Sequence, residues 1–599
     1  MDLREDFRTR LQVVYEDNKK TFLGLYLYCI VLYLPLIVLR LTNSMDGMWD
    51  QDDHVTGAAE LRIGRWFWPY LDKLRLNISL DPFPALVSLA LFVLGMLLVL
   101  STLQLKKSWI TCGAAVLFLS SPAALCQLSY SYMSITFSTG FVLAVLAVWM
   151  LAGDPGRKRP DGEAMQCLQE SGKNHSYHRH ILQIIVNPRI LLSVVLIAVM
   201  MGCYQAFLGV TCVLALFVFI LLVKRNESLN KAFTFVLQML IALAVGAVLY
   251  EILLHANLAY YGETMSDYNG ADAITFTGVL KNLPSSIKHT YVSFLYYYGN
   301  SGSRFHALQG KSWFPVFYVV PALGAVLLVL QVIRKENTEK RFLRGGLILV
   351  ALLLIPVFAN SFFLLASSAE TQMQMTGGLA LSLPLVLCLW EEVLRPQNAG
   401  IAADGSSAAD DKKEQRIEAG EESGESGKIS EHATEKVTAK VPRRKQVLKT
   451  VCVVGIAALL YGAAGQAATD EYAMYVGRQA TTTLARNILN QFTNAGTDYT
   501  EQVVMVYGQP AQSPLFEQTE LYQKANFYAQ YGNWSSGTEA NRLCWSNFYG
   551  QQLRVNVNYA EGDTLETIYN SPEVAAMPVY PAAGSTANVW GVTVVKISE

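Results

Sequence analysis

A short stretch near the N-terminus concentrates acidic side chains. Four carboxylates lie within eight positions, at Asp46, Asp50, Asp52 and Asp53. Crowded carboxylates at a low-dielectric edge raise one another's pKa, which can leave one of them able to accept a proton near neutral pH. The stretch therefore predicts a general base at Asp52 or Asp53, with Asp46 as a third candidate. A solvated acidic turn is the alternative interpretation.

The next polar stretch places an arginine among aromatic residues. Arg65 directly precedes the run that contains Trp66 and Trp68. A guanidinium fork matches phosphate oxygens, and aromatic faces can stack on sugar rings. Arg65, Trp66 and Trp68 are therefore predicted to bind a phosphate group and a sugar. An aromatic belt at a membrane surface would explain the same rings and stays open as the alternative.

Three further residues are candidates on weaker grounds. The stretch 259–312 is dense in tyrosines and carries Lys281 and Lys288, which are predicted to help hold a phosphate. The same composition suits a loop that lies flat on lipid. Glu370 lies in a turn between two apolar runs, where an ionisable group is a functional candidate by default. The sequence requires no metal or other cofactor, although crowded acids can bind a divalent cation.

The composition predicts a membrane protein that has no nucleic-acid partner. Of the 599 residues, 52% are hydrophobic and 16% are charged, and the mean hydropathy is +0.27. A typical soluble protein is about 25% charged. The net charge of −1 provides no basic excess to neutralise a phosphate backbone. Nine scattered cysteines predict neither a zinc site nor a disulfide framework.

Apolar runs of about twenty residues are long enough to span a bilayer core. About eleven such runs occur, at 22–41, 83–103, 109–126, 130–152, 181–200, 204–223, 232–258, 313–333, 343–363, 374–393 and 446–466. The unbroken apolar stretch 189–223 is divided at 202–204, because one helix of that length would overshoot the bilayer.

The distribution of basic residues predicts the orientation of these spans. The turns at 127–129, 201–203 and 364–373 carry no Lys or Arg, whereas every short loop of the alternate set is basic. Short cytoplasmic loops carry the excess of basic residues. We therefore expect a multi-pass protein of the cell membrane with a cytoplasmic N-terminus and an extracytoplasmic C-terminus.

The fold class is predicted to be mainly α, a polytopic transmembrane helical bundle with a small C-terminal α/β or α+β domain. Strands are expected at 502–507, 553–558 and 589–597, where apolar and polar residues alternate. The segment after 396 is rich in small and charged residues and lacks aromatics, which predicts disorder. The predicted division is a membrane domain 1–395, a disordered cytoplasmic linker 396–445, a last transmembrane helix 446–466 and an extracytoplasmic domain 467–599.

Several short motifs resemble those of the Gtr type II glucosyltransferases. The motifs are Asp46-Gly47, Asp52-Asp53, Gly64-Arg65-Trp66-Phe67, Ser131-Tyr132-Met133 and Gly202-Cys203-Tyr204-Gln205-Ala206-Phe207, and together with two C-terminal runs their order spans nearly the whole chain. The C-terminal runs 580–585 and 590–596 are similar to the outer tail of the Gram-positive members. The resemblance implies a membrane glycosyltransferase of the GT-C type whose base is an acid of the first outer loop.

The resemblance also implies the substrates. The donor would be a hexose, glucose for this family, on undecaprenyl phosphate, and the acceptor would be a surface polysaccharide or teichoic-type polymer. A single displacement would invert the anomeric centre. A transporter or flippase of a lipid-linked saccharide is the alternative, although the nearly uncharged helix centres argue against it. A scaffold that recruits enzymes through its outer domain is a third reading.

Overall fold

The computed structural model describes residues 3–49, 52–105, 107–152, 187–225, 228–266, 276–299, 314–335, 340–366, 371–394, 443–534 and 537–599. Two candidate acids, Asp50 and Glu370, lie outside the described residues. Residues 396–442 of the predicted linker also lie outside them, and the last three linker positions already belong to a helix that begins at Arg443.

The described part of the chain is mainly helical. In its first half the helices are α1 Leu3–Leu32, α2 Leu34–Leu39, α3 Ala58–Arg62, α4 Trp68–Leu74, α5 Phe83–Thr102, α6 Trp109–Leu119, α7 Pro122–Leu128, α8 Ser134–Ala152, α9 Pro188–Cys203, α10 Leu208–Lys224 and α11 Leu229–Tyr261. They continue as α12 Phe276–Gly299, α13 Phe314–Lys335, α14 Arg341–Leu353, α15 Ile355–Ala359, α16 Phe362–Leu365, α17 Gly377–Leu394, α18 Arg443–Asn494, α19 Glu520–Gln523, α20 Thr538–Asn547, α21 Gly562–Tyr569 and α22 Pro572–Ala576.

Six described helices are long and apolar enough to cross a membrane. These candidate spans are Phe83–Thr102, Ser134–Ala152, Gln205–Lys224, Leu229–Tyr261, Gly377–Leu394 and Gln446–Asn494. The pair α6 and α7, bent by 48° at its break, would make a seventh. Helices of this kind identify a membrane protein, and the larger count of about eleven spans stays a prediction.

Local sequence explains where two of the apolar runs break. Pro122 occupies the first turn of α7, where its missing N–H costs nothing, and the Ser121 hydroxyl accepts a hydrogen bond from the N–H of Ala124 at 3.3 Å. The long apolar stretch 189–223 is divided as predicted, since α9 ends at Cys203 and Tyr204 is extended.

The centre of the bundle is closely packed around aromatic rings. Helices α5, α8, α9 and α11 pack against one another in succession. The Phe118 ring stacks on that of Phe141, with centroids 4.7 Å apart. Gly95 on α5 lets the Phe141 ring approach so closely that an added Cβ would lie 2.5 Å from it. This contact therefore fixes the distance between α5 and α8.

A buried ion-pair cluster joins helices at one end of the bundle. The Glu392 side chain on α17 is buried and pairs with Lys224 at 3.2 Å and with Arg225 at 2.7 Å. Arg225 also donates to the carbonyl of Leu103 at 2.9 Å. Since α5 begins at Phe83 and ends just before Leu103, this cluster lies at the opposite end of the bundle from the start of α5.

The C-terminal segment, residues 495–599, carries a small mixed sheet. Strand β1 (Val504–Tyr507) runs parallel to β3 (Val592–Lys596), and β2 (Thr586–Val589) pairs with β3 in the antiparallel sense. Trp590 and Gly591 both have positive φ, as a two-residue hairpin turn requires. The single strand predicted at 589–597 is therefore wrong, because Val589 ends one strand and Val592 begins the next.

The strand predicted at 553–558 is also wrong. These residues follow a π-helical turn, Phe548–Leu553. The Val555 N–H donates to the carbonyl of Tyr549 at 2.9 Å, and the Asn558 N–H donates to that of Tyr499 at 2.8 Å. At its end the segment touches β1, where the Asn558 carbonyl accepts from the Val504 N–H at 2.9 Å. Alternation of apolar and polar residues was present, but a continuous partner strand was not.

The long helix α18 attaches the C-terminal segment to the bundle. It runs without interruption through the predicted boundary between 466 and 467. The buried Asp470 carboxylate accepts four hydrogen bonds, from Gln466 at 2.8 Å, from the backbone and side-chain nitrogens of Asn526 at 2.9 Å each, and from the Tyr528 hydroxyl at 2.8 Å. The Tyr528 carbonyl in turn accepts from the N–H of Ser44 at 2.8 Å. One carboxylate thus ties α18 to the C-terminal segment and to the loop after α2.

We predict that Asp470→Asn destabilises the protein by about 3 kcal/mol or more, because an amide cannot accept from all four donors and hydrogen bonds to charged groups are worth about 1.5–3 kcal/mol each. Thermal unfolding in detergent, followed by tryptophan fluorescence, measures the loss. The control is Glu573→Gln, which also removes one negative charge but at an exposed position of the C-terminal segment. Equal unfolding temperatures for the two variants would contradict the assignment.

Candidate active site

A polar cavity lies between the C-terminal segment and the stretch that joins α2 to α5, residues 40–82, which is here called the first loop of the bundle. Its volume is about 230 Å³. Charged and amide side chains dominate its walls, and the lining residues are Leu39, Arg40, Thr42, Asp52, Leu80, Asp81, Ser131, Arg478, Gln551, Gln552 and Arg554. Three arginines and two carboxylates therefore meet at one opening, a combination that suits an anionic substrate and a proton transfer.

Backbone pairing positions the predicted acids Asp52 and Asp53. The Ser79 N–H donates to the carbonyl of Asp52 at 3.1 Å, and Asp53 forms an antiparallel bridge with Ile78. Side chains on neighbouring residues of an extended strand point to opposite faces. Asp52 accordingly lines the cavity, whereas Asp53 is exposed and is not among the lining residues.

Asp52 forms an ion pair across the cavity. Its carboxylate accepts a hydrogen bond from the Arg554 guanidinium in a direct contact. The two side chains are 47% and 56% exposed, respectively, so the pair lies at the mouth. Asp52 therefore already has a cationic partner across the cavity.

Asp81 is a second cavity carboxylate, and the sequence analysis missed it. It lies just before α5 and is only 4% exposed. Its Oδ1 accepts a hydrogen bond from the Ala85 N–H at 3.2 Å, and it forms no ion pair with another described residue. Burial raises the pKa of Asp81 to about 7, and the Ala85 hydrogen bond and the Arg40 charge oppose this rise only in part. A lone acid at the start of an apolar run was the signal that could have identified it.

Helix α18 brings Arg478 to the cavity. Its guanidinium donates to the carbonyls of Leu39 at 2.8 Å and Arg40 at 2.9 Å. Arg40 adopts a left-handed conformation, with φ +50°, at the end of α2. A cation at a helix C-terminus satisfies carbonyls that have no partner within the helix. Arg478 therefore fixes the position of Arg40 at the cavity wall.

Arg65 and Asp46 lie together in a neighbouring cluster. The Arg65 guanidinium lies 5.0 Å from the ring centroid of Trp68 and 5.1 Å from that of Tyr204. Burial raises the pKa of Asp46, and the Arg65 charge and a 3.5 Å hydrogen bond from the Tyr130 hydroxyl oppose that rise. The structure thus brings together an acid and an arginine that the sequence placed near each other, although neither lines the cavity.

The predicted tryptophans are buried. Trp66 is 5% exposed and packs on Gly202 so closely that an added Cβ there would lie 2.6 Å from its ring. Trp68 is 1% exposed and donates to the carbonyl of Cys203 at 2.6 Å. In this structure both rings hold the first loop against the end of α9. Their predicted role in binding a sugar stays a prediction.

The remaining candidates lie elsewhere. Lys281 and Lys288 are exposed on α12 and do not line the cavity, so their predicted role stays open. Within the described ranges, no group of three or more His, Cys, Asp or Glu side chains is arranged to hold a metal ion.

Comparison with known proteins identifies the family. A sequence profile described as "Glucosyl transferase GtrII" matches residues 41–382, more than half of the chain. No curated protein and no solved structure matches the chain. The matched region contains Asp52, Asp81 and Ser131 and ends before Arg478 and Arg554. The family implies a glycosyltransferase with a sugar donor and an acceptor, and we conclude that the chain belongs to the glucosyl transferase GtrII family.

Proposed function

We propose that the protein transfers a hexose, glucose for this family, from undecaprenyl phosphate to a surface polysaccharide or teichoic-type polymer. The observation that carries this proposal is the cavity in which two carboxylates face three arginines. The reaction needs a base for the acceptor hydroxyl and cations for a phosphate leaving group. The cavity offers both within one enclosure, next to helices that can lie in a lipid bilayer.

The proposed reaction is a single displacement. The acceptor oxygen forms a bond to the anomeric carbon while the bond from that carbon to the phosphate oxygen breaks. The bonding electrons leave with the phosphate, and the acceptor's proton passes to a carboxylate of the cavity. Attack opposite the leaving group inverts the anomeric centre through an oxocarbenium-like transition state. The arginines stabilise the charge that develops on the phosphate.

Of the candidate acids, we assign the base to Asp81. It is buried, lines the cavity and has no ion-pair partner within the part of the chain that the structure describes. Asp52 lines the same cavity but is held by Arg554. Asp53 is exposed outside the cavity, and Asp46 lies in the cluster with Arg65. The sequence-based candidates for the base were Asp52 and Asp53. The base proposed here is Asp81, a carboxylate near the end of the same loop.

The proposed location of the reaction is the outer face of the cell membrane. The turn at 127–129, which has no basic residue, directly precedes the cavity residue Ser131. Lys224 and Arg225 lie at the other end of the bundle, where the positive-inside rule favours the cytoplasm. Because the C-terminal segment lines the cavity, the proposal puts this segment on the outer side of the membrane as well.

We predict that Asp81→Asn lowers the rate of transfer about a hundredfold or more, the usual scale for loss of a general base. Asparagine keeps the oxygen that accepts from Ala85, so the fold should survive. Transfer from undecaprenyl-phosphate-linked glucose by the purified full-length chain is the measurement. Asp53→Asn is the comparison and should stay within a few-fold of the parent. Full activity in Asp81→Asn would refute the assignment of the base.

The pH profile tests the same residue independently. A base must be unprotonated to act, and the pKa of Asp81 lies at about 7. We expect kcat/KM to rise with pH through about 7 and to level off above it, since this parameter reports ionisations of the free enzyme. The residual activity of Asp81→Asn should lack that rise. A rise that persists unchanged in the variant would assign the ionisation to another group.

Reporter fusions test the orientation. A reporter that is active only in the cytoplasm should be silent when it is fused after Ser598 and active when it is inserted within 400–440. An active C-terminal fusion would place the cavity on the cytoplasmic side and contradict the proposed location.

A further inference from the structure

We propose that the C-terminal segment completes the phosphate-binding site of the cavity, with Arg554 binding the phosphate of the lipid donor and Gln552 and Ser131 hydrogen-bonding to it from opposite walls. This inference rests on the proposed function. Arg554 and Gln552 lie well beyond residues 41–382, the region that the family profile matches.

Two polar atoms of residues that line this cavity are buried and have no hydrogen-bond partner among the described residues. Ser131 is 4% exposed, and its hydroxyl has no hydrogen-bond partner among the described residues. The side-chain nitrogen of Gln552 is likewise buried and has no partner there. Buried polar groups are nearly always paired, so each such exception requires an explanation. A hydroxyl and an amide N–H can both donate to a phosphate oxygen, which would satisfy them together.

Arg554 has donors to spare. A guanidinium has five N–H donors in a fixed fork. Among the described residues, the one hydrogen bond from the Arg554 side chain goes to Asp52. Arg478, in contrast, already donates to two backbone carbonyls. The guanidinium of Arg554 can therefore donate to a phosphate with little rearrangement. The phosphate would bind either beside the Asp52 carboxylate or instead of it.

The backbone around Arg554 has an unusual conformation. Arg554 has a left-handed conformation, with φ +56°, directly after the π-helical turn Phe548–Leu553. Non-glycine residues rarely adopt this conformation, and π-helical turns are frequent at functional sites. The turn places Gln551, Gln552 and Arg554 on the same cavity wall.

The charge balance of the reaction fits this arrangement. The phosphodiester of the donor carries one negative charge, and the phosphate monoester that leaves carries up to two. Asp81 loses its negative charge when it takes the acceptor's proton. The total charge that faces Arg40, Arg478 and Arg554 therefore changes little during transfer. The arginines can bind the donor and the departing lipid phosphate in the same place.

Binding of undecaprenyl phosphate to the purified full-length protein in detergent tests this site without requiring catalysis. We expect Arg554→Gln to weaken binding about tenfold or more, as the loss of charge-assisted hydrogen bonds predicts. Asp52→Asn should bind at least as tightly as the parent, because it removes the anion that competes for Arg554. Arg542→Gln is the matched control, since Arg542 pairs with Glu539 and Glu561 within the same segment and does not line the cavity.

The alternatives give different results. Equal losses in Arg554→Gln and Asp52→Asn would show that the ion pair is merely structural and would overturn the proposal, as would unchanged binding in Arg554→Gln. Undecaprenol, which lacks the phosphate, should bind the parent and Arg554→Gln alike. Competition by inorganic phosphate that disappears in Arg554→Gln would support a site for the phosphate group itself.

Two further comparisons allow for a variant that does not fold and for failure of the proposed base. If Arg554→Gln does not fold, Gln552→Met removes the amide donor at similar size and should weaken binding several-fold; unchanged binding would count against the site. If Asp81→Asn retains transfer while Arg554→Gln loses affinity for undecaprenyl phosphate, the assignment of the base fails and the phosphate site stands.

Discussion

The arrangement of the cavity depends on the hydrogen bonds that the buried Asp470 carboxylate accepts. Taking a carboxylate out of water costs several kcal/mol unless hydrogen bonds compensate. Here four donors from two parts of the chain, α18 itself and residues 526–528, supply that compensation. Eight residues farther along α18, Arg478 donates to the end of α2. One helix therefore sets the spacing between the first loop of the bundle and the C-terminal segment.

This spacing explains how the cavity acquires its chemistry. The first loop supplies the two carboxylates, and α18 and the C-terminal segment supply Arg478 and Arg554. Neither side forms the site alone. The family profile ends long before Arg478, so the proposed division of labour places proton transfer in the matched region and part of the phosphate binding outside it.

The sequence was sufficient for features that depend on composition and local spacing. The apolar runs identified a membrane protein, and short motifs identified the family. The division of the stretch 189–223 was predictable because a single helix of that length would not fit a bilayer. In these cases neighbouring residues carry the information.

Features that depend on distant partners were not predictable in this way. Asp52 and Arg554 are 502 positions apart, and no local pattern pairs them. Asp81 is a lone acid whose importance comes from burial beside Arg40, which only the fold creates. The segment 553–558 alternates like a strand, yet it meets β1 only at Asn558 and forms no continuous ladder with it. Alternation reports amphipathic character, whereas a strand also needs a neighbour.

If the cavity between the first loop and the C-terminal segment is the active site, it must bind the donor's phosphate and place the anomeric carbon near the base. An experimental structure of the full-length protein with a non-hydrolysable analogue of undecaprenyl-phosphate-linked glucose is the decisive measurement. We expect the phosphate within hydrogen-bonding distance of Arg554 and the anomeric carbon on the side of Asp81. A phosphate bound instead beside Arg65, or against Lys281 and Lys288 on α12, would contradict it.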